Sequence, residues 1–162
     1  MAYEKLQGYL ALEVLRSDVT NIPYQSVITA STTDGATLAN NLVDSTKDFI
    51  ALGVAAGDIV YNTTDSTSAN VLNVTNETTI LLDTDIMATG EAYTLYDASS
   101  TKNYQNANNG CVLYVGTTGN LKVDTITGST VTFKNMPVGF FPVQVKKVYL
   151  TGTTATDIIA LW

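Results

Sequence analysis

Apolar and polar positions alternate along much of this chain with the two-residue period of a half-buried strand. The clearest stretch is 111–162, where short apolar runs are separated by glycine-centred corners. Residues 111–115 lead to the corner Gly116-Thr117-Thr118-Gly119, and residues 120–125 lead to a turn at Gly128-Ser129. Residues 130–134 run into Met136-Pro137-Val138-Gly139-Phe140-Phe141-Pro142, which reads as a loop. Residues 143–151 alternate, with Val143 and Val145 apolar and Gln144 and Lys146 polar. Gly152-Thr153-Thr154-Ala155-Thr156 then turns the chain into a last strand over 157–162. Short strands at this spacing predict an antiparallel barrel or sandwich. A lone hairpin would not hold, so they must close on themselves or on a partner.

Upstream, residues 10–15 predict a first strand, followed by a polar connection that stops at Pro23. Residues 27–98 predict a second compact β unit, with strands near 27–30 and 36–43, a turn and a strand over 54–61, and strands near 69–75, 77–83 and 91–96. Thr33-Asp34-Gly35 supplies its first turn. Asp44-Ser45-Thr46-Lys47-Asp48-Phe49-Ile50-Ala51-Leu52-Gly53 breaks the pattern and predicts one short helix near residues 46–52. Ser45 or Thr46 is its expected N-cap, Asp48 suits the first turn and Gly53 ends it. Residues 99–110 have loop composition and finish on Asn108-Asn109-Gly110. Tyr3, Leu6, Tyr9 and Leu10 have a spacing that fits a helical turn, an arm reaching a neighbour, or a frayed end. The fold class expected is all-β, built of small antiparallel barrel or sandwich modules with that single short helix.

Composition strengthens the β reading. Charged residues make up 14% of the 162 positions, against a usual level of about 25%. Thr, Ser and Asn take their place, and β-branched Thr suits a pleated surface better than a helix. The formal charge of −7 and eight dispersed basic residues exclude a nucleic-acid grip, which needs clustered Lys and Arg. No apolar run approaches the roughly 20 residues of a membrane helix. Met-Ala-Tyr-Glu-Lys lacks the features of a signal peptide, so synthesis in a cytoplasm is expected. Cys111 is the one cysteine; it lies in an apolar run and reads as a small buried hydrophobe.

Catalytic chemistry finds little to work with. The chain has no histidine, which removes the commonest general base, the usual triads and most zinc sites. No phosphate-binding loop, dinucleotide fingerprint or calcium-binding loop is present. Asp83-Thr84-Asp85 places two carboxylates close together, but reads as a solvated turn because no further oxygen ligands can be assigned. Asp44 with Asp48, and Asp58 with Asp65, are the other carboxylate pairs to consider. Asn-x-Thr sequons at Asn62, Asn73 and Asn76 are expected by chance in so Thr-rich a chain. We therefore expect a non-enzyme with no catalytic, cofactor or metal site. The residues singled out for contact with other molecules are Phe140, Phe141, Trp162, Tyr3 and Tyr9. Adjacent Phe140 and Phe141 cannot both face one side of a sheet, so one is expected to meet a neighbour. Trp162 fits either a core or an interface anchor.

The end of the chain carries a recognisable pattern. It runs Tyr114-Val115-Gly116-Thr117-Thr118-Gly119-Asn120-Leu121-Lys122-Val123, then Gly128-Ser129-Thr130-Val131-Thr132-Phe133, then Met136-Pro137-Val138-Gly139 and Pro142-Val143-Gln144-Val145. It closes with Thr151-Gly152-Thr153-Thr154-Ala155-Thr156-Asp157-Ile158-Ile159-Ala160-Leu161-Trp162. This resembles the small spike-base and head-decoration proteins of tailed phages and gene transfer agents. Glu13-Val14-Leu15-Arg16-Ser17-Asp18-Val19-Thr20-Asn21-Ile22-Pro23 resembles the stretch that precedes the first of these strands in that family, with Arg16 where a proline-like residue is usual. The resemblance implies a split fold, in which residues 1–26 and 101–162 form one β module and residues 27–100 are an inserted small β domain.

It further implies a structural virion protein of a bacteriophage: a capsid decoration (cement) protein or head-spike base on the outer capsid surface, assembled in the host bacterial cytoplasm. Its implied partners are copies of itself, as a trimer or pentamer, the major capsid protein, and a spike or fibre protein, with no nucleic acid and no membrane. A tail, neck or fibre-adapter protein is a second reading. A particle-borne carbohydrate-binding module is a third, since nine tyrosines and Trp162 offer rings on which sugars stack.

Overall fold

The computed structural model describes residues 10–23, 26–35, 38–98 and 110–162. In chain order the strands are β1 (Ala11–Glu13), β2 (Val27–Thr32), β3 (Asn41–Val43), β4 (Ile59–Asn62), β5 (Thr67–Asn76), β6 (Thr79–Leu82), β7 (Ala92–Tyr96), β8 (Cys111–Thr117), β9 (Gly119–Thr125), β10 (Thr130–Met136), β11 (Gly139–Val148) and β12 (Thr156–Leu161). They form two six-stranded antiparallel sheets, and among the described residues there is no helix. The all-β fold class stands.

The first sheet has the order β1-β12-β8-β11-β9-β10. Its first strand comes from the start of the chain and pairs with its last, Ala11 opposite Leu161, Leu12 opposite Ala160 and Glu13 opposite Ile159. Strand β11 joins two ladders. It pairs with β8 from Gly139 to Phe141 and again at Val145, and from Val145 onward it also pairs with β9 on its other side. Pro142 sits in the register break of the β8–β11 ladder between Phe141 and Val145, where its missing N–H removes no ladder bond. Phe140-Phe141-Pro142 is therefore strand, not the loop its composition predicts. Alternation puts Leu113, Val115, Leu121, Val123, Val145 and Ala160 inside, all fully buried. The sheet curls until Phe133 of β10 meets Phe141 of β11 edge to face, with ring centres 4.7 Å apart. The 152–155 corner lies hard against β9: a Cβ on Gly119 would stand 2.4 Å from the Ala155 nitrogen, so only glycine fits.

The second sheet has the order β2-β7-β4-β5-β6-β3. Strand β5 bends across it, pairing first with β4 and then, through two register shifts, with β6. The bend brings the ends of the sheet together, and the Asp34 N–H donates to the Val43 carbonyl at 3.2 Å. Leu42, Phe49, Val60, Ala69, Ile80, Leu82 and Leu95 fill the interior.

The helix expected near residues 46–52 does not form; the segment is a chain of turns. Three competitors take its backbone donors. The Thr46 N–H goes to the Asp44 side chain at 2.9 Å, the Ala51 N–H to the Asp48 side chain at 2.8 Å, and the Phe49 N–H to the Glu77 carbonyl at 2.6 Å. Short Asp side chains offer the backbone this alternative, and the tie to Glu77 draws Phe49 fully into the core. One helix-like bond survives, from the Leu52 N–H to the Asp48 carbonyl, and Gly53 ends the segment with φ +71° as expected.

The two sheets meet at a small apolar seam. Leu12 of β1, Ile59 and Tyr61 of β4 and Tyr96 of β7 are buried together, with Leu15, Ile22, Ala98 and Trp162 packed around them. The Tyr61 and Tyr96 rings stack edge to face at 5.1 Å. Beside them the Thr20 and Ser68 hydroxyls bond across the junction at 2.6 Å. Leu12→Ala removes the one seam residue that also sits in the β1–β12 ladder. It should cost about 2–4 kcal/mol and split the single urea transition into two, read by tyrosine fluorescence and circular dichroism.

Candidate functional site

Phe140 and Phe141 lie on opposite faces of β11, as strand alternation requires. Phe141 is buried against Phe133. Phe140 is 68% exposed and rests on Tyr114 of β8, ring centres 5.6 Å apart and nearly perpendicular. Trp162 faces the inner side. It is half-buried between the core of the first sheet and the seam, and its backbone N–H donates to the Leu10 carbonyl at 3.1 Å. The structure therefore assigns Phe141 and Trp162 to packing and does not bring either beside Phe140. Tyr3 and Tyr9 lie outside the described residues.

Around Phe140 the sheet carries an apolar outer surface. Ile159, Tyr114 and Phe140 stand side by side on β12, β8 and β11, and Leu161 opposite Val112 forms the next row. Sequence reasoning missed Val112, Tyr114, Ile159 and Leu161. Their signal was present: 111–115 and 158–162 are unbroken apolar runs, as in strands covered on both faces.

The candidate carboxylate sites dissolve into turn clamps. Asp83 accepts from the Asn70 backbone at 2.9 Å and its side-chain amide at 2.6 Å, while Asp85 accepts from the Asn40 N–H at 2.9 Å. These two serve different partners, Asn70 and Asn40. Asp58 accepts from the Ala55 and Ala98 N–H groups at 2.8 and 3.2 Å. Asp44 is fully buried, accepting from the Thr46 N–H, the Thr46 hydroxyl at 2.6 Å and the Tyr93 hydroxyl at 2.8 Å. Burial pushes its pKa up, but hydrogen bonds from Thr46, Ser31 and Tyr93 override this and hold it below the ordinary 3.8. Burial, and then donation to Asp44, pushes the Tyr93 hydroxyl far above its usual range. Among the described residues no cluster of three metal-ligating side chains occurs.

Other surface carboxylates follow the same rule. Thr151 donates to Asp18 through its hydroxyl at 2.6 Å and its N–H at 3.0 Å. Ser45 donates to Asp34, and the Thr117 hydroxyl to Asp157. These bonds lower all three pKa values. Asp65 is the opposite case: a hydrogen bond to Glu91, and then the Glu91 charge, raise its pKa. The Asn62 sequon is closed, because its side chain is buried and donates to the Ile86 carbonyl at 2.6 Å and to Glu91 at 2.9 Å. Arg16 donates to the Thr153 carbonyl at 3.1 Å and so fastens the N-terminal stretch to the Gly152 corner. It lines an open groove of about 250 Å³ with Ser66, Leu150 and Asp157.

These shifts set the pH response. Asp18, Asp34, Asp44 and Asp157 have folded pKa values below their unfolded 3.8, so the stability they contribute is present above that value and lost as pH falls through the lower folded ones. Asp65 acts in reverse: its share is present when it is protonated and lost as pH rises through its raised pKa. Urea midpoints should stay high at neutral pH and drop steeply below about pH 4. Asp44→Asn should cost about 1–3 kcal/mol at pH 7 and flatten that acid limb, and an unchanged limb would remove Asp44 from the account.

The chain matches no family model, no curated protein and no solved structure.

Proposed function

We infer that this chain is a structural protein of a phage particle, a capsid decoration protein or head-spike base that assembles with copies of itself on the outer shell. The resemblance of residues 111–162 to that protein class motivates the reading. One structural observation carries it. Among the described residues the carboxylates Asp18, Asp44, Asp58 and Asp83 hold turns and strand ends, while the outer sheet face around the exposed Phe140 is apolar. Such a chain is built to be rigid and to be covered. The inserted second sheet, anchored through the Leu12 seam, adds a separate surface for a spike or fibre protein.

The test is co-sedimentation of the purified chain with shells assembled from the major capsid protein of the same genome, followed by imaging of labelled particles. Saturable binding at regular shell positions is the expected result. Label confined to the tail would replace this reading with a neck or fibre-adapter role, and absence from the particle would overturn both.

A further inference from the structure

An antiparallel sheet with one face in water alternates apolar with polar along each strand. Strand β9 obeys this, with Leu121 and Val123 inside and Asn120 and Lys122 outside. Strands β8 and β12 do not. Cys111, Leu113, Val115, Ile158 and Ala160 already fill the interior, yet Val112, Tyr114, Ile159 and Leu161 make the opposite face apolar as well. Phe140 adds the largest exposed ring of this surface, and Val138, 54% exposed, lies at the adjoining turn. Of the other exposed apolar side chains, Leu38, Ile50 and Leu72 are carried by the insertion, and Val19, Val131 and Leu150 lie outside the rows of this face. The β8–β11–β12 surface is contiguous through strand pairing, which is what distinguishes a docking surface from ordinary scatter.

Charge decides what covers it. Residues 27–98 hold ten of the fifteen carboxylates and one basic residue, Lys47. The rest of the chain holds five carboxylates and seven Lys and Arg. Two acidic insertions placed face to face would repel. Copies meeting through the outer sheet face avoid that, because the rows that join Phe140, Tyr114 and Ile159, and Val112 and Leu161, carry no charged side chain. A charged foreign surface gains nothing from a neutral apolar face, whereas an identical face is apolar in the same rows and self-complementary about a two-fold axis.

We propose that a second copy of this chain seats on the outer face of β8, β11 and β12, against Tyr114, Phe140 and Ile159. The proposal names the partner of the face on which the virion reading rests, and so depends on that reading. An aromatic at the centre of such a contact is the usual anchor of the binding energy.

The experiment is solution mass measurement by light scattering and native mass spectrometry over a range of concentrations, at low and moderate salt. The chains compared are wild type, Phe140→Asp, Tyr114→Ser and the insertion control Leu72→Asp. Phe140 is exposed, so Phe140→Asp should fold, as circular dichroism will report; Phe140→Ser is the milder companion. Wild type should associate, slightly better at moderate salt. Phe140→Asp should weaken association about 100-fold, in line with a central anchor, and Leu72→Asp should leave it unchanged. Association untouched by both Phe140→Asp and Tyr114→Ser would overturn the face and leave the virion reading standing. A wild-type monomer that binds shells through Phe140 would overturn the second copy as occupant. A monomer that binds no shell would sink both readings.

Discussion

Strand β1 has three residues, yet its ladder with β12 joins the two ends of nearly the whole chain. Closing a loop of that length costs about 4–5 kcal/mol in chain entropy. Burial of Leu12 and Val14 returns about 1.5–3 kcal/mol each, so the closure is roughly balanced by those two side chains. Leu12 sits at the seam with the second sheet, and Val14 sits in the core of the first. The same short segment therefore completes one sheet and fixes the other against it. Arg16, bonded to the Thr153 carbonyl, and Asp18, bonded to Thr151, extend that clamp along the Gly152 corner.

A second constraint follows from the scarcity of charge. With few Lys and Arg to pair with, the carboxylates are satisfied by hydroxyls and backbone N–H groups instead. Thr46, Tyr93, Thr130, Tyr149 and Thr151 donate to Asp44, Asp124 and Asp18, each joining residues that turns or strand ends bring close. Hydrogen bonds to an ionised acceptor are stronger than neutral ones and lose little to salt when buried. The outcome is a pair of β modules in which carboxylates, buried and exposed alike, are tied to nearby hydroxyls and N–H groups.

Several features were legible in the residues themselves. Period-two alternation with glycine corners specified strands over 111–162, because a strand's faces alternate whatever it packs against. The high Thr content and the missing helical periodicity specified the all-β class. That Phe140 and Phe141 would not share one sheet face was also expected, and the strand pairing of both residues bears it out. The apolar outer surface was also written in the unbroken runs at 111–115 and 158–162, although such a run does not say which of its two faces lacks a cover.

Other features waited for the tertiary structure. The segment at 44–53 has caps and a stop suited to a helix, but Glu77 captures the Phe49 N–H and two Asp side chains capture others, so packing overrode propensity. Phe140-Phe141-Pro142 reads as a loop, yet it is strand because β11 pairs with β8 on both sides of a register break that accommodates proline. The carboxylate pairs looked like sites until their partners were visible, since hydrogen-bonding groups far apart in sequence are invisible to spacing. The residues by themselves determined which side chains alternate. Only the fold decided which of those faces are covered, because that depends on where distant strands come together.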